Sequence, residues 1–277
     1  MTPKDIEVNN PKLIIDKNII INKNQKLTVG PGTTIDMISG AGITSYGNVI
    51  FNGTEKKPII IQSSDGTGVG LAVFSAKERS SINHTIISGL ASPEDSIRSL
   101  TSPFFFYESD VDINNCMFEN NRSEDALNIF RSNFTIKNSR FINILSDAFD
   151  SDFSVGEIVK TSFKNIGNDA IDLSGSTVRI SDIRITGASD KAISLGEESM
   201  SDGSKIIIEN SNLGISSKDL SFFSFNEVSI SNSEVAVSLY QKKEEFGSSK
   251  GEISEASLFD NTVDFIIEKD SSIKFNT

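Results

Sequence analysis

Five aspartates carry the most specific chemical signal in this sequence: Asp147, Asp150 and Asp152, then Asp169 and Asp172 one 22-residue step later. Carboxylates brought side by side repel unless they are spread, protonated or neutralised. Calcium answers that need, because it takes about six to eight oxygen ligands at about 2.3–2.6 Å. Paired carboxylates among these five, on neighbouring coils, could supply several of those ligands. The plainer reading is a solvated acidic face, since turns favour Asp and outward charge blocks edge aggregation. Lys191 and Lys218 follow in the same series. A lysine desolvated near other charges can have a lowered pKa and serve as a base. Otherwise each lysine simply neutralises a neighbouring Asp. Asn128, Glu197, Tyr240 and Lys242 are the candidate substrate-binding residues around this set.

What could position these groups is an internal repeat, sought first because it decides the architecture. Ala126, Ala148, Ala170 and Ala192 recur at a constant step of 22. Ile113, Ile136, Ile158 and Ile180 form a second series, and Phe118, Phe141, Phe163 and Ile185 a third. Asn120, Asn143 and Asn165 follow the aromatics by two. Each repeat holds three short strands separated by turns, with no helix between them. A chain of this kind winds into coils that pair in parallel about 4.8 Å apart. The expected fold is all-β: a single-stranded right-handed parallel β-helix of about 11–12 coils of roughly 22 residues. Ile and Phe ladders fill its bore, and the Asn ladder caps turns.

One domain is expected over 1–277, with irregular opening coils in 1–100, regular coils in 103–243 and closing coils in 244–277. Ala91–Ser102, Met200–Ser204 and Glu244–Gly251 read as loops. Alternation along the strand places Leu127, Phe149, Ile171 and Ile193 in the bore. It turns the alanines, with Asn128, Asp150, Asp172 and Ser194, toward solvent. Asp125, Asp147 and Asp169 fall at the preceding turn.

Composition narrows the function. The net charge of −12 makes duplex nucleic acid an unfavourable partner. No apolar run is long enough to span a bilayer, and no signal peptide is visible. Single copies of Cys116 and His84 exclude a disulfide, a Cys-based zinc site and a His cluster. His84 sits in a strand-like stretch and reads as structural.

The segments Ser123–Ile129, Ser146–Ser154, Gly167–Ser176, Ser189–Ser199, Leu213–Ser221 and Tyr240–Gly247 resemble the pectate-lyase-like superfamily of right-handed β-helices. Within it they are similar to bacterial β-helix repeat domains that accompany CotH-class, spore-coat-type kinase domains. The likeness runs from about Leu13 to Asp270 and implies a partner domain in a longer chain. It also implies calcium at Asp147, Asp150, Asp169 and Asp172, with Lys191 or Lys218 abstracting the proton α to a uronate carboxylate that calcium neutralises. The chain departs from such lyases in having few exposed aromatics and no arginine clamp, with only Arg131 and Arg179 near the strand exit. The expected function is a secreted or cell-envelope module that binds or presents a polysaccharide or surface glycan on a calcium-binding acidic face. The alternative is a calcium-dependent polysaccharide lyase with a Lys base. An inverting hydrolase using paired carboxylates and a purely structural spike or coat element complete the set.

Overall fold

The computed structural model describes residues 5–92 and 100–276, and every regular element in them is a β-strand. Of the loop expected over Ala91–Ser102, the central part with Pro93, Glu94 and Asp95 lies outside the described residues. The chain divides into two compact units, Met1–Ser146 and Asp147–Thr277. Each is a parallel β-solenoid.

In the first unit, Ile19–Ile21, Gly42–Ser45, Gly70–Phe74, Phe104–Tyr107 and Asp125–Phe130 pair successively in parallel. In the second, the same role falls to Asp147–Asp152, Ile171–Ser174, Lys191–Gly196, Leu213–Lys218, Val235–Tyr240 and Val263–Ile267. This second stack carries the candidate residues and is called the site sheet below.

The remainder of each coil differs between the units. The first keeps two short strands per coil, such as Val111–Asn114 and Met117–Glu119. In the second they merge into one long strand: Val155–Ile166, Thr177–Ala188, Met200–Glu209, Phe222–Ser231 and Lys250–Phe259. The expected loop at Met200–Ser204 is therefore strand. Its Ser, Asp and Gly residues look like a turn in isolation, but their backbone pairs with Thr177–Ser181 on one side and Phe222–Asn226 on the other. The loop after Tyr240 runs only to Ser249 before strand resumes.

Each long strand turns its corner at one left-handed residue: Lys160, Asp182, Lys205, Glu227 and Glu255, with φ between 51° and 59°. His84, Asn115 and Asn138 do the same in the first unit. A second corner column, Asn165, Gly187, Asn210 and Asn232, is also left-handed, as are Asn120 and Asn143 in the first unit. Asn and Gly tolerate this region best, which explains the Asn series. Asn143 also donates through Nδ2 to Asn120 Oδ1 at 3.4 Å.

The bore is built from the columns the spacing marks. Ile113 aligns with Ile136 and Phe118 with Phe141 in the first unit, where the two rings stack at 4.7 Å. Ile158 aligns with Ile180 and Phe163 with Ile185 in the second. All are essentially inaccessible to solvent. Fully burying each such side chain stabilises by about 1.5–3 kcal/mol.

One orientation is corrected. Ala126, Ala148, Ala170 and Ala192 do not face solvent; all four are fully buried. Strict alternation fails at this corner. The ladder pairs Lys191 with Leu213 and Ile193 with Ile215 and skips the small residues between them. A Cβ added at Gly214, the next member of the column, would lie 2.4 Å from Ala236 O and 3.0 Å from the buried Ile230 side chain. The column is small because there is no room. Asn128 and Ser194, also expected outward, are buried at 3% and 0% exposure.

Candidate functional site

The site sheet begins with a ladder of carboxylates that close the corner between coils. Asp147 Oδ1 accepts the backbone N–H of Asp169 at 2.7 Å, and Asp169 Oδ1 accepts that of Lys191 at 2.9 Å. Each Asp thus satisfies a main-chain donor one coil on. The ladder stops at Lys191, whose position is taken by Leu213 and Val235 in the following coils. A parallel ladder of hydroxyls runs through the turn beyond the sheet. Ser154, Ser176 and Ser199 each donate a backbone N–H to the Oγ of Ser176, Ser199 and Ser221, at 3.0, 3.1 and 3.1 Å.

Two lysines make three ion-pair contacts on the outer face. Lys191 Nζ contacts Asp190 and lies 3.5 Å from Asp169 Oδ1. Lys218 Nζ donates to Ser194 Oγ at 2.7 Å and lies 4.0 Å from Asp172 Oδ1. Asp150 aligns with Asp172 and Asp172 with Ser194, so the expected acids do share neighbouring coils. The lysines are largely withdrawn from solvent, with side chains 14% and 10% exposed.

Burial shapes the titration. It is the main cause, ahead of the charge of Asp172, that pushes the Asp169 carboxyl up to about 7 against the pull of Lys191. Burial likewise raises Asp147. For Lys191 burial disfavours the ammonium, but the hydrogen bond to Asp190 and the charges of Asp169 and Asp190 together hold its pKa above the ordinary lysine value. Lys191 therefore stays protonated at neutral pH, which opposes its use as a base. The group near neutrality is Asp169.

The donor set suits calcium poorly as arranged. One oxygen of Asp147 and one of Asp169 are engaged by main-chain N–H groups, and ammonium groups already lie 3.5 Å from Asp169 Oδ1 and 4.0 Å from Asp172 Oδ1. Among the described residues no group of three or more Asp, Glu, His or Cys side chains is disposed to hold a metal ion. Calcium at Asp147, Asp150, Asp169 and Asp172 would compete with Lys191 for Asp169 and with Lys218 for Asp172.

The other candidates divide. Glu197 follows the site-sheet strand that carries Lys191, and Tyr240 aligns with Lys218. Glu197 pairs with Lys243. Burial opposes its charge, but the Lys243 hydrogen bond and further partners outweigh this and lower its pKa. The loop after Tyr240, which holds Lys242, is pinned by the buried Asp219, whose Oδ1 accepts Lys242 N and Lys243 N at 2.7 and 2.8 Å. Asn128 belongs to the first unit and is buried. Arg179 is paired with Asp202 at 2.8 Å, and Arg131 lies over the Phe130 ring in the first unit. Ser194, Asp190, Asp219 and Lys243 are not singled out by sequence as site residues. Their roles depend on neighbouring coils, and only their position in the 22-residue series hints at them.

Fold and site define the class: an all-β parallel solenoid with partly buried ion pairs on the outside of one sheet. No family model matches the sequence, and no curated protein does. Among solved structures the chain is similar to a periplasmic alginate epimerase, at 12% identity over 97% of this chain and 78% of that one, with a TM-score of 0.59. It is also similar to the catalytic domain of a GH87 alpha-1,3-glucanase, at 11% identity over 94% and 68%, TM-score 0.47. A third is an alginate lyase from Paenibacillus sp., at 9% identity over 92% and 99%, TM-score 0.38. At these identities the likeness to the epimerase shows the parallel β-helix fold alone, and the other two superpose too loosely to add to it.

Proposed function

We propose that this protein is a secreted or cell-envelope β-helix that binds an acidic polysaccharide across the outer face of the site sheet, where the Lys191 and Lys218 ammonium groups offset locally the repulsion expected from the chain's net negative charge. The observation that carries the reading is the partial burial of Asp169–Lys191 and Asp172–Lys218 outside the bore. Taking charges out of water costs several kcal/mol per ion, and the apolar columns already hold the coils together. Ion pairs kept half-dry on a surface, with a carboxyl titrating near neutrality, are characteristic of functional sites. Lysine ammonium groups supply donors for sugar carboxylate and hydroxyl oxygens. The fold likeness to an alginate epimerase agrees with this reading.

Calorimetric titration against oligouronates and neutral glucan oligomers tests it. Wild type binds the uronates, and Lys191→Met with Lys218→Met weakens that binding at least about tenfold. Absence of binding to every oligomer, with and without calcium, overturns the proposal.

A second reading, glycan modification by β-elimination, is favoured by one observation: the Asp169 carboxyl near neutrality beside the charged Lys191. In that reading the ionised Asp169 carboxylate takes the proton α to the uronate carboxylate, the new C=C bond expels the glycosidic oxygen, which takes the proton back, and Lys191 stabilises the negative charge that develops between. Ultraviolet absorbance from unsaturated products distinguishes it from binding alone.

A further inference from the structure

Lys218 is aligned with Gly196 on the preceding coil, because Leu195 pairs with Ser217. An outward lysine at that point would ordinarily extend into water. Here its chain turns back across Gly196, and the residue is only 8% exposed. A Cβ built on Gly196 would lie 2.9 Å from Lys218 Cε, 3.5 Å from Cγ and 3.7 Å from Nζ. A side chain at residue 196 would crowd this course at Cε. Gly196 has no positive φ, so its backbone does not require glycine. The ammonium that results sits over Ser194 Oγ and faces Asp172, which lies two coils before Lys218.

We infer that Gly196 is a positioning residue: by leaving a gap in its column it lets the Lys218 ammonium fold back onto the outer face beside Asp172 and Ser194, making Lys218 the fixed cation that meets an anionic sugar oxygen. The glycan part of this rests on the proposed function, whereas the placement of Lys218 does not. Nζ has three N–H groups. One goes to Ser194 Oγ, and Asp172 Oδ1 at 4.0 Å lies beyond hydrogen-bond reach, so donor capacity remains for a ligand oxygen. Gly196→Ala is a gentle perturbation, because its new methyl meets the flexible end of a lysine rather than backbone. The lysine swings outward and the fold stays.

The experiment has two arms on the intact protein. In the first, acetic anhydride labelling is read by mass spectrometry. Wild-type Lys218 labels at least about tenfold more slowly than Lys274, and Gly196→Ala brings it close to the Lys274 rate while Lys191 stays protected. Equal Lys218 protection in wild type and Gly196→Ala, with both folded by melting temperature, overturns the inference whatever the glycan result. In the second, oligouronate binding is measured for wild type, Gly196→Ala, Lys218→Met and the double variant. Gly196→Ala and Lys218→Met each weaken binding at least about tenfold, and the double variant is no weaker than Lys218→Met alone. Fully additive losses overturn the assignment of Gly196 to Lys218. Unmasking of Lys218 by Gly196→Ala in a protein that binds no uronate upholds the positioning and sinks the proposed ligand.

Discussion

Asp169 sets up a pH dependence opposite in sign to that of most paired acids. Its carboxyl titrates at about 7 in the folded protein against 3.8 for an ordinary Asp. Between those values the folded state binds more protons than the unfolded one, so stability falls as pH rises from about 4 to about 7 and levels off above. About three pH units at about 1.4 kcal/mol each give a ceiling on the order of 4 kcal/mol. Asp169→Asn removes the titration. Its stability relative to wild type should therefore climb with pH across this window by up to that amount, or roughly 7 °C in melting temperature if a chain of this length unfolds as one. The assay is urea or thermal unfolding of both proteins at half-unit steps from pH 4 to 8, read as the difference between them. Taking the difference cancels groups such as Asp65. Hydrogen bonds from Ser39 and Thr67 hold Asp65 at about 2, and its contribution is lost progressively as pH falls from about 4 through that value. A constant difference between Asp169→Asn and wild type across the range would falsify the account of Asp169 as an acid forced toward its neutral form by burial.

Three further outcomes follow from the geometry. Ala170→Leu should destabilise by more than about 3 kcal/mol or prevent folding, since overpacking costs about 1–3 kcal/mol even where neighbours can adjust; chemical denaturation of the purified variant measures it, and a neutral result would return the alanine column to the surface. Millimolar calcium should leave the melting temperature unchanged, because Lys191 and Lys218 already compete for Asp169 and Asp172. A rise of several degrees that disappears in Asp150→Asn with Asp172→Asn would restore the calcium site. Asn210→Val should cost about 1–2 kcal/mol and Asn210→Gly much less, because the φ of 56° penalises a β-branched side chain; denaturation midpoints of the two variants decide it.

The bore columns are legible in the sequence because their signal is additive. Ile158 and Ile180, or Phe163 and Ile185, repeat at one interval and meet the same neighbours in every coil. The facing of the alanines is not legible, since inside–outside alternation assumes an unbroken ladder and the pairing skips the position between Lys191 and Ile193. Met200–Ser204 reads as a loop for a similar reason: strand formation there is imposed by partners on both sides rather than by its own composition. At the site, the alignment of Asp150 with Asp172 can be read from spacing. The course of Lys218 cannot, because it depends on a missing side chain 22 residues earlier. Nor can the state of Asp169, which depends on burial behind Lys191.

The hydroxyl ladder from Ser154 to Ser221 has a consequence for how such a chain can change length. Every rung donates its N–H to the following coil and accepts on its Oγ from the preceding one, so along this ladder one junction is chemically interchangeable with the next. Excising Thr177 through Ser199 as one whole turn would join Ser176 to Met200 and so rejoin like to like, whereas losing a few residues would leave every subsequent rung facing the wrong mate. Evolution of this architecture is thereby quantised: it grows and shrinks by complete windings, and a binding surface laid across several of them lengthens in the same discrete increments.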